Sequence, residues 1–220
     1  MKNQQLVRVA AYVDGFNLYY GLKESHYKRF YWLNIQEMVL NLLKEYQKLV
    51  FTKYFTARIS GPEMGDNSRL ARELEAKRCR QAVFLEAFET LDDFIIFYGH
   101  YLREKVKCFG CGRVWNDHEE KMTDVNIATE MLTDAFEDKF DTALVISADS
   151  DLVPTIRALK RLFPNKQILV FFPPGRSSAQ LKNVADRQFT IGRRTIAKSQ
   201  FPKQVIKADG HVLERPKLWR

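Results

Sequence analysis

Five short apolar runs, separated by stretches of helical periodicity, confine this chain to few architectures. They are Leu6 to Val13, Leu49 to Ala57, Phe94 to Tyr98, Thr142 to Ser147 and Gln167 to Phe172. Runs of this length that stay apolar on both alternating positions read as strands covered on both faces. Between them, Ile35, Met38, Val39, Leu42, Leu43 and Tyr46 recur at 3.6-residue spacing behind Asn34 as cap. Asp66 to Leu91 is charged and periodic, Thr123 to Phe136 reads as a helix capped by Thr123, and Leu152 to Leu162 as a helix with Pro154 in its first turn. Pro173-Pro174-Gly175 ends the fifth run, and Ser177 or Ser178 caps a short helix. Strands alternating with helices predict an α/β fold with a mostly parallel sheet and helices on both faces.

Composition excludes several classes. The chain has 220 residues, 45% of them hydrophobic, which suits a globular domain with a sizeable core. No apolar run approaches the roughly 18 residues of a membrane span, and the start, MKNQQLVRVAAYVDG, lacks a secretory signal pattern. Three cysteines make no disulfide framework, so a reducing, cytoplasmic setting is expected. The net charge of +8 is uneven: residues 193–220 hold eight basic side chains against Asp209 and Glu214. A domain at 1–192 followed by a basic tail at 193–220 is the expected division. The basic excess points weakly toward nucleic acid.

Acidic residues stand at matching points of the pattern. Asp14 ends the first strand, Asp124 opens a helix, and Asp149 and Asp151 follow the fourth strand. In an open α/β sheet the crevice at the carboxyl ends of the strands binds ligands, so these residues are expected to share one pocket. Gathered carboxylates repel unless a cation neutralises them, and oxygen donors select Mg²⁺ or Mn²⁺. Such a centre suits phosphodiester hydrolysis by activated water. Taken singly, each acid also reads as turn, cap or first-turn chemistry.

Three segments carry a family resemblance: Tyr12-Val-Asp14-Gly-Phe-Asn17-Leu, Glu120-Lys121-Met-Thr-Asp124-Val, and Val145-Ile-Ser147-Ala-Asp149-Ser150-Asp151-Leu-Val-Pro154. In this order they closely resemble the NYN domain of the PIN-like nuclease superfamily, from about Val7 to Ile191. The resemblance implies a Rossmann-like three-layer α/β/α sandwich and a metal-dependent ribonuclease, with Asp14, Asp124, Asp149 and Asp151 as the metal-binding set. It further implies Asn17 and Ser147 as supports of that set, with Lys121 close by. Asp14 and Asp149 sit at strand ends and are the candidates for direct metal contact. Asp124 and Asp151 bind through water or align the nucleophile. Asn17, Lys121, Ser147, Ser150 and Arg176 are the candidate contacts to substrate. Two departures concern geometry: Ala148 where such domains often have Gly, and Glu130 where they often have Asp. Glu130 lies about 240° around the helix from Asp124, off its face.

Other groups admit two readings. Cys108, Cys111 and His118 have the spacing of part of a structural Zn²⁺ site, with Cys79 or His100 as fourth ligand; the alternative is a hairpin with two reduced cysteines. Arg176 with Ser177 and Ser178 reads as a phosphate cradle or an ordinary cap. Lys121 reads as a phosphate contact or a solvated lysine. Arg69, Arg72, Lys77, Arg78 and Arg80, mixed with Glu73 and Glu75, read as a solvated helix face. Among Phe16, Tyr19, Tyr20, Tyr27, Tyr31 and Trp32, some fill core and one or two near Asp14 stack on bases.

The expected partner is RNA, with DNA a second polyanion open to the same chemistry, no membrane, and homo-oligomerisation left open. The competing function is a non-catalytic RNA-binding module on the same fold. The Asp149-Ser-Asp151 pair also resembles toprim nucleases and sugar-nucleotide transferases. The first would need an early Glu where this chain has Asp14, and the second a Gly-rich loop it lacks.

Overall fold

The first strand, β1 (Val7–Asp14), is buried on both faces, and this sets the layering of the molecule. Val9, Ala11 and Val13 join one core, while Ala10 and Tyr12 join a second. Strand side chains alternate, so the sheet must be covered on both sides. The structure, a computed structural model, describes residues 6–62, 65–107 and 109–219, with side chains described except at 101–107 and 114–121.

On one face lie α1 (Gly15–Glu24), α2 (Ile35–Leu40) and α3 (Arg69–Phe88), which contribute Leu18, Leu22, Met38, Val39, Leu85 and Phe88 to the first core. On the other lie α4 (Thr123–Phe136), α5 (Val153–Leu162) and α6 (Ala179–Val184), which contribute Ile127, Met131, Ile156, Leu159 and Leu181 to the second. The strands between them are β1, β2 (Gln47–Ala57), β3 (Phe94–Lys107), β4 (Val114–Lys121), β5 (Thr142–Ile146), β6 (Gln167–Phe172) and β7 (Arg187–Thr190), in the spatial order β4-β3-β2-β1-β5-β6-β7. Every neighbouring pair is parallel except β3 with β4. The expected α/β sandwich with a mostly parallel sheet is the observed fold.

The chain builds outward from β1 in both directions: β2 and β3 on one side, β5, β6 and β7 on the other. The reversal falls between β1 and β5, which pair directly from Val9–Thr142 to Val13–Ile146. That is the position where open sheets leave a crevice at their carboxyl ends. Asp14 ends the first of these strands and Asp149 lies shortly after the second.

Several elements differ from the sequence expectation, each for a physical reason. Residues 15–24 form a helix at once after Asp14, where an apolar count gives little signal because the buried positions are Gly15, Leu18, Gly21 and Leu22. The α2 helix stops at Leu40. The Asn41 side chain turns back to the Glu37 carbonyl (2.9 Å) and to Ser199 Oγ (3.0 Å), while Leu42 and Leu43 still pack on the core from the turn beyond. The third strand runs on to Lys107 and pairs with antiparallel β4 from His100–Lys121 to Lys107–Val114, an edge pairing longer than the apolar run Phe94 to Tyr98 predicts. Thr123 is the first residue of α4 rather than its cap; Met122 precedes it with φ of 78°.

The basic C-terminal segment folds onto the body. It forms α7 (Arg193–Lys198), the hairpin of β8 (Gln204–Ile206) and β9 (Val212–Glu214), and a final 3-10 turn at Lys217–Trp219. Ile196, Phe201, Val205, Leu213 and Trp219 complete the first core. Trp32 Nε1 donates to the Pro202 carbonyl at 2.7 Å, and Lys207 bridges Glu86 and Glu89 of α3. The apolar residues are spaced too irregularly among the charges for periodicity to announce them.

Candidate metal centre

Asp14 does two jobs at the end of β1. It caps α1, accepting the Asn17 N–H on Oδ1 at 2.9 Å, and its Oδ2 accepts the Asn17 amide at 2.6 Å and the Ser147 hydroxyl at 2.8 Å. An ionised carboxylate offers about four acceptor directions; these three contacts leave one, on Oδ1. Gly15 makes the sharp entry into α1 possible. A Cβ there would stand 2.6 Å from the Phe55 carbonyl and 2.8 Å from the Tyr54 ring.

Ser147 joins the two strand ends. Fully buried, it donates to Asp14 and accepts the Asp149 N–H at 3.0 Å. Both contacts are made inside the protein, so Ser147 positions the Asp14 carboxylate and the Asp149 backbone. Asp149 caps the 3-10 turn Ser150–Leu152, its Oδ1 accepting the Asp151 N–H at 2.9 Å. Asp124 lies in the first turn of α4, where the helix dipole favours a negative charge. Each of Asp14, Asp124 and Asp149 offers one oxygen such that all three lie within 4.8 Å of one another. Among the described residues this is the one such group of His, Cys, Asp and Glu.

The donor chemistry fits a hard divalent cation. Asp14 is 2% exposed, and burial pushes its carboxyl above the usual range; the nearby Asp149 charge pushes the same way, while the bonds from Asn17 and Ser147 oppose it. A buried carboxylate beside two others is costly unless a positive charge joins them. All three donors are oxygens, the set that Mg²⁺ or Mn²⁺ takes.

The remaining predicted site residues fall into place unevenly. Asp151 is exposed and is not one of the three converging carboxylates; the turn that caps on Asp149 uses its N–H instead. Ser150 opens that turn. Asn17 Oδ1 accepts from Arg176 at 3.1 Å and from the Ala148 N–H at 3.4 Å. The Arg176 guanidinium also approaches Glu24 at 3.6 Å. Ser178 is an ordinary cap, accepting the Leu181 N–H at 3.3 Å. Lys121 ends β4 directly before the α4 entry, and its side chain lies outside the described set. The zinc expectation also falls outside it: Cys108 and the His118 side chain are not described, while Cys111, and Cys79 on α3, are exposed free thiols.

One positioning group had no motif. Lys53, 4% exposed on β2, sends Nζ to Glu130 Oε2 at 2.6 Å and Asp134 Oδ2 at 2.5 Å, both on α4. The Tyr12 hydroxyl donates to Asp134 as well, at 2.9 Å; burial first and then the Asp134 charge drive its pKa far up, so it stays a donor. This network ties the helix that carries Asp124 to the sheet, and it takes Glu130 away from the metal centre. A lysine inside the otherwise uncharged run LVFTKYFTA was the available signal.

With this geometry established, comparison with known proteins assigns the family. Residues 8–192 match the NYN domain. The chain belongs to the NYN domain family. The NYN domain is PIN-like and of nuclease type, in keeping with the sheet order and the acidic centre. No curated protein matches the chain. Among solved structures, it is similar to a protein of unknown function from Vibrio parahaemolyticus RIMD 2210633, at 18% identity and a TM-score of 0.50, over 88% of this chain and 98% of that one. That likeness concerns the fold. No helix among the described residues of this NYN protein is long and apolar enough to cross a membrane.

Proposed function

We propose that this NYN protein is a divalent-metal-dependent ribonuclease that hydrolyses RNA phosphodiester bonds at the Asp14–Asp124–Asp149 centre. The observation that carries the reading is the convergence of these carboxylates, one of them buried, at the switch point of a nuclease-type fold. Asp14, Asp124 and Asp149 would hold the cation. When bound, Mg²⁺ or Mn²⁺ supplies charge neutralisation at the phosphate and lowers the pKa of water toward neutrality.

The chain's own residues set the geometry. Asn17 and Ser147 lock the Asp14 carboxylate by three hydrogen bonds, so it meets a charge without reorganising. Arg176 holds the Asn17 amide, and its positive charge beside the crevice favours a polyanion. Lys121, at the junction of β4 and α4, is the candidate point charge for a flanking phosphate. The two exposed free thiols, Cys79 and Cys111, suit a reducing cytoplasm.

The test is cleavage of single-stranded and structured RNA with Mg²⁺, with Mn²⁺ and with chelator. Cleavage should require the metal and should vanish in Asp14→Asn, Asp124→Asn and Asp149→Asn proteins that keep their circular dichroism. A wild-type protein inert with both metals, yet still binding RNA, would make the fold a binding module instead.

A further inference from the structure

A cavity of about 580 Å³ lies beside the acidic centre, between α1, α3 and the last turn of the chain. Gly15 and Phe16, the two residues after Asp14, form part of its wall, which sets the cavity next to the end of β1. Its volume is that of a small-ligand pocket, but its lining is unusual in two respects.

First, aromatic rings run through it in sequence. Tyr20 meets Tyr19 at 5.4 Å, Tyr19 meets Tyr31 at 5.4 Å, and Tyr31 meets Trp219 at 5.9 Å. Tyr19 is 43% and Tyr20 42% exposed, although burial is the usual use of such rings. Second, among the described residues the lining holds Lys23, Lys28, Lys77 and Arg80 and no Asp or Glu. Lys77 and Arg80 come from α3, where the acids Glu73 and Glu75 are engaged by Arg69 and Arg78. Neither Lys77 nor Arg80 has an ion-pair partner among the described residues. A chain whose first 192 residues are nearly balanced in charge thus places an acid-free basic wall next to its acidic centre.

We propose that this groove seats a single-stranded segment of the RNA that flanks the scissile phosphate, its bases on Tyr19 and Tyr20 and its phosphates on Lys77 and Arg80. The proposal rests on the ribonuclease reading and adds the substrate form. Stacking on a protein ring needs an unstacked base, which a single strand offers and the interior of a duplex does not. The aromatic and basic pairing supplies sequence-tolerant grip, because every base has a π-face and every linkage a charge. A free nucleotide shares that chemistry, and the experiment separates the two.

The experiment uses the full chain with Asp149→Asn to prevent cleavage, and fluorescence anisotropy with labelled uridylate and adenylate decamers. Adding Tyr19→Ala should weaken decamer binding about tenfold, while Tyr19→Phe binds like the parent. Adding Arg80→Gln should lower the slope of log affinity against log salt by about 0.7, the value for one single-strand phosphate contact. Duplex RNA and a mononucleotide should both bind far more weakly than the decamer. Decamer affinity unchanged by both Tyr19→Ala and Arg80→Gln overturns the groove, as does a duplex or mononucleotide that binds as tightly as the decamer, or a parent that binds no decamer. Metal-dependent cleavage by the wild type is followed separately. Cleavage with an inert groove leaves the nuclease reading standing, and a groove that binds RNA the wild type never cuts removes that reading alone.

Discussion

The Ser147 hydroxyl donates to Asp14 Oδ2 at 2.8 Å from a position with no solvent exposure. The Ser147 hydroxyl oxygen in turn accepts the Asp149 backbone N–H, so one side chain ties the Asp14 carboxylate to the backbone that carries Asp149. Ser147→Ala removes the donor and leaves Asp14 Oδ2 with the Asn17 amide alone. Groups that orient metal ligands in this way typically matter by about 10–100-fold. We expect Ser147→Ala to weaken Mn²⁺ affinity by about that factor, measured by calorimetric titration, with circular dichroism unchanged. Wild-type affinity in the variant would reduce Ser147 to a packing residue.

Metal should also stabilise the folded chain. The Asp149 charge pushes the buried Asp14 carboxyl upward, a sign that the two repel without a cation. Asparagine caps a helical turn about as well as aspartate, so Asp149→Asn removes repulsion and keeps the turn. The metal-free variant should therefore melt above the metal-free wild type. Mn²⁺ at about a hundred times its Kd should stabilise the wild type by about 2.7 kcal/mol and the variant by much less. Equal shifts in both proteins would show that the ion binds elsewhere.

The buried Lys53–Asp134 pair carries a sharper stability prediction. Removing one partner of a buried pair strands the other charge and costs about 3–5 kcal/mol. Asp134→Ala should lose about that much in urea unfolding, because the Tyr12 hydroxyl loses its acceptor and buried Lys53 keeps only Glu130. The double variant Lys53→Met with Asp134→Leu should recover the part of the loss due to Lys53, since an apolar pair of similar volume needs no acceptor, while the Tyr12 hydroxyl still lacks its partner. Because α4 carries Asp124, the single variant should also reduce cleavage more than the double.

The parts of this molecule legible in its sequence were those with a regular period or a fixed spacing. Gln167–Phe172 formed a strand with the bounds its apolar run suggested, and Asn34 capped its helix. Asp14, Asp124 and Asp149 could be placed together because the switch point of an open sheet collects residues distant in sequence. What stayed hidden depended on tertiary contact. Asp151 has the same spacing logic as Asp149, yet the 3-10 turn takes its backbone and leaves the residue exposed. The mixed charges of α3 suggested solvent, and Arg69, Arg72, Lys77 and Arg78 are exposed; that Lys77 and Arg80 also line a cavity depends on Trp219 docking against Phe84, a contact distant in sequence.

The folded C-terminal segment changes what a truncation can show. Ending the chain at Gly192 deletes Ile196, Phe201, Val205, Leu213 and Trp219 from the first core. At about 1.5–3 kcal/mol for each buried large side chain, the loss rivals the whole stability of a typical domain, about 5–15 kcal/mol. The truncated protein should fail to give a cooperative melt. Charge is better tested by Arg194→Gln with Lys203→Gln, both exposed. That pair should keep the melting temperature within about 2 °C, as surface changes usually do, and should flatten the salt dependence of RNA binding. An unchanged salt slope would mean these charges lie off the RNA path.

Acid should weaken the protein at a definable place. Asp141 accepts the Arg8 backbone N–H at 2.8 Å and the Arg8 guanidinium at 2.7 Å, bonds that hold its carboxyl below the usual range. Asp138 is held low by Lys166 first and then Arg8. A carboxyl depressed in the folded state contributes stability above its unfolded pKa, near 3.9 for Asp, and that contribution is lost as pH falls through the folded value. The wild type should therefore lose stability below about pH 4. Asp141→Asn cannot titrate, so its urea midpoint should be lower than wild type at pH 6 and should fall less between pH 4 and pH 2. Parallel curves for the two proteins would place the acid-sensitive charges elsewhere in the fold.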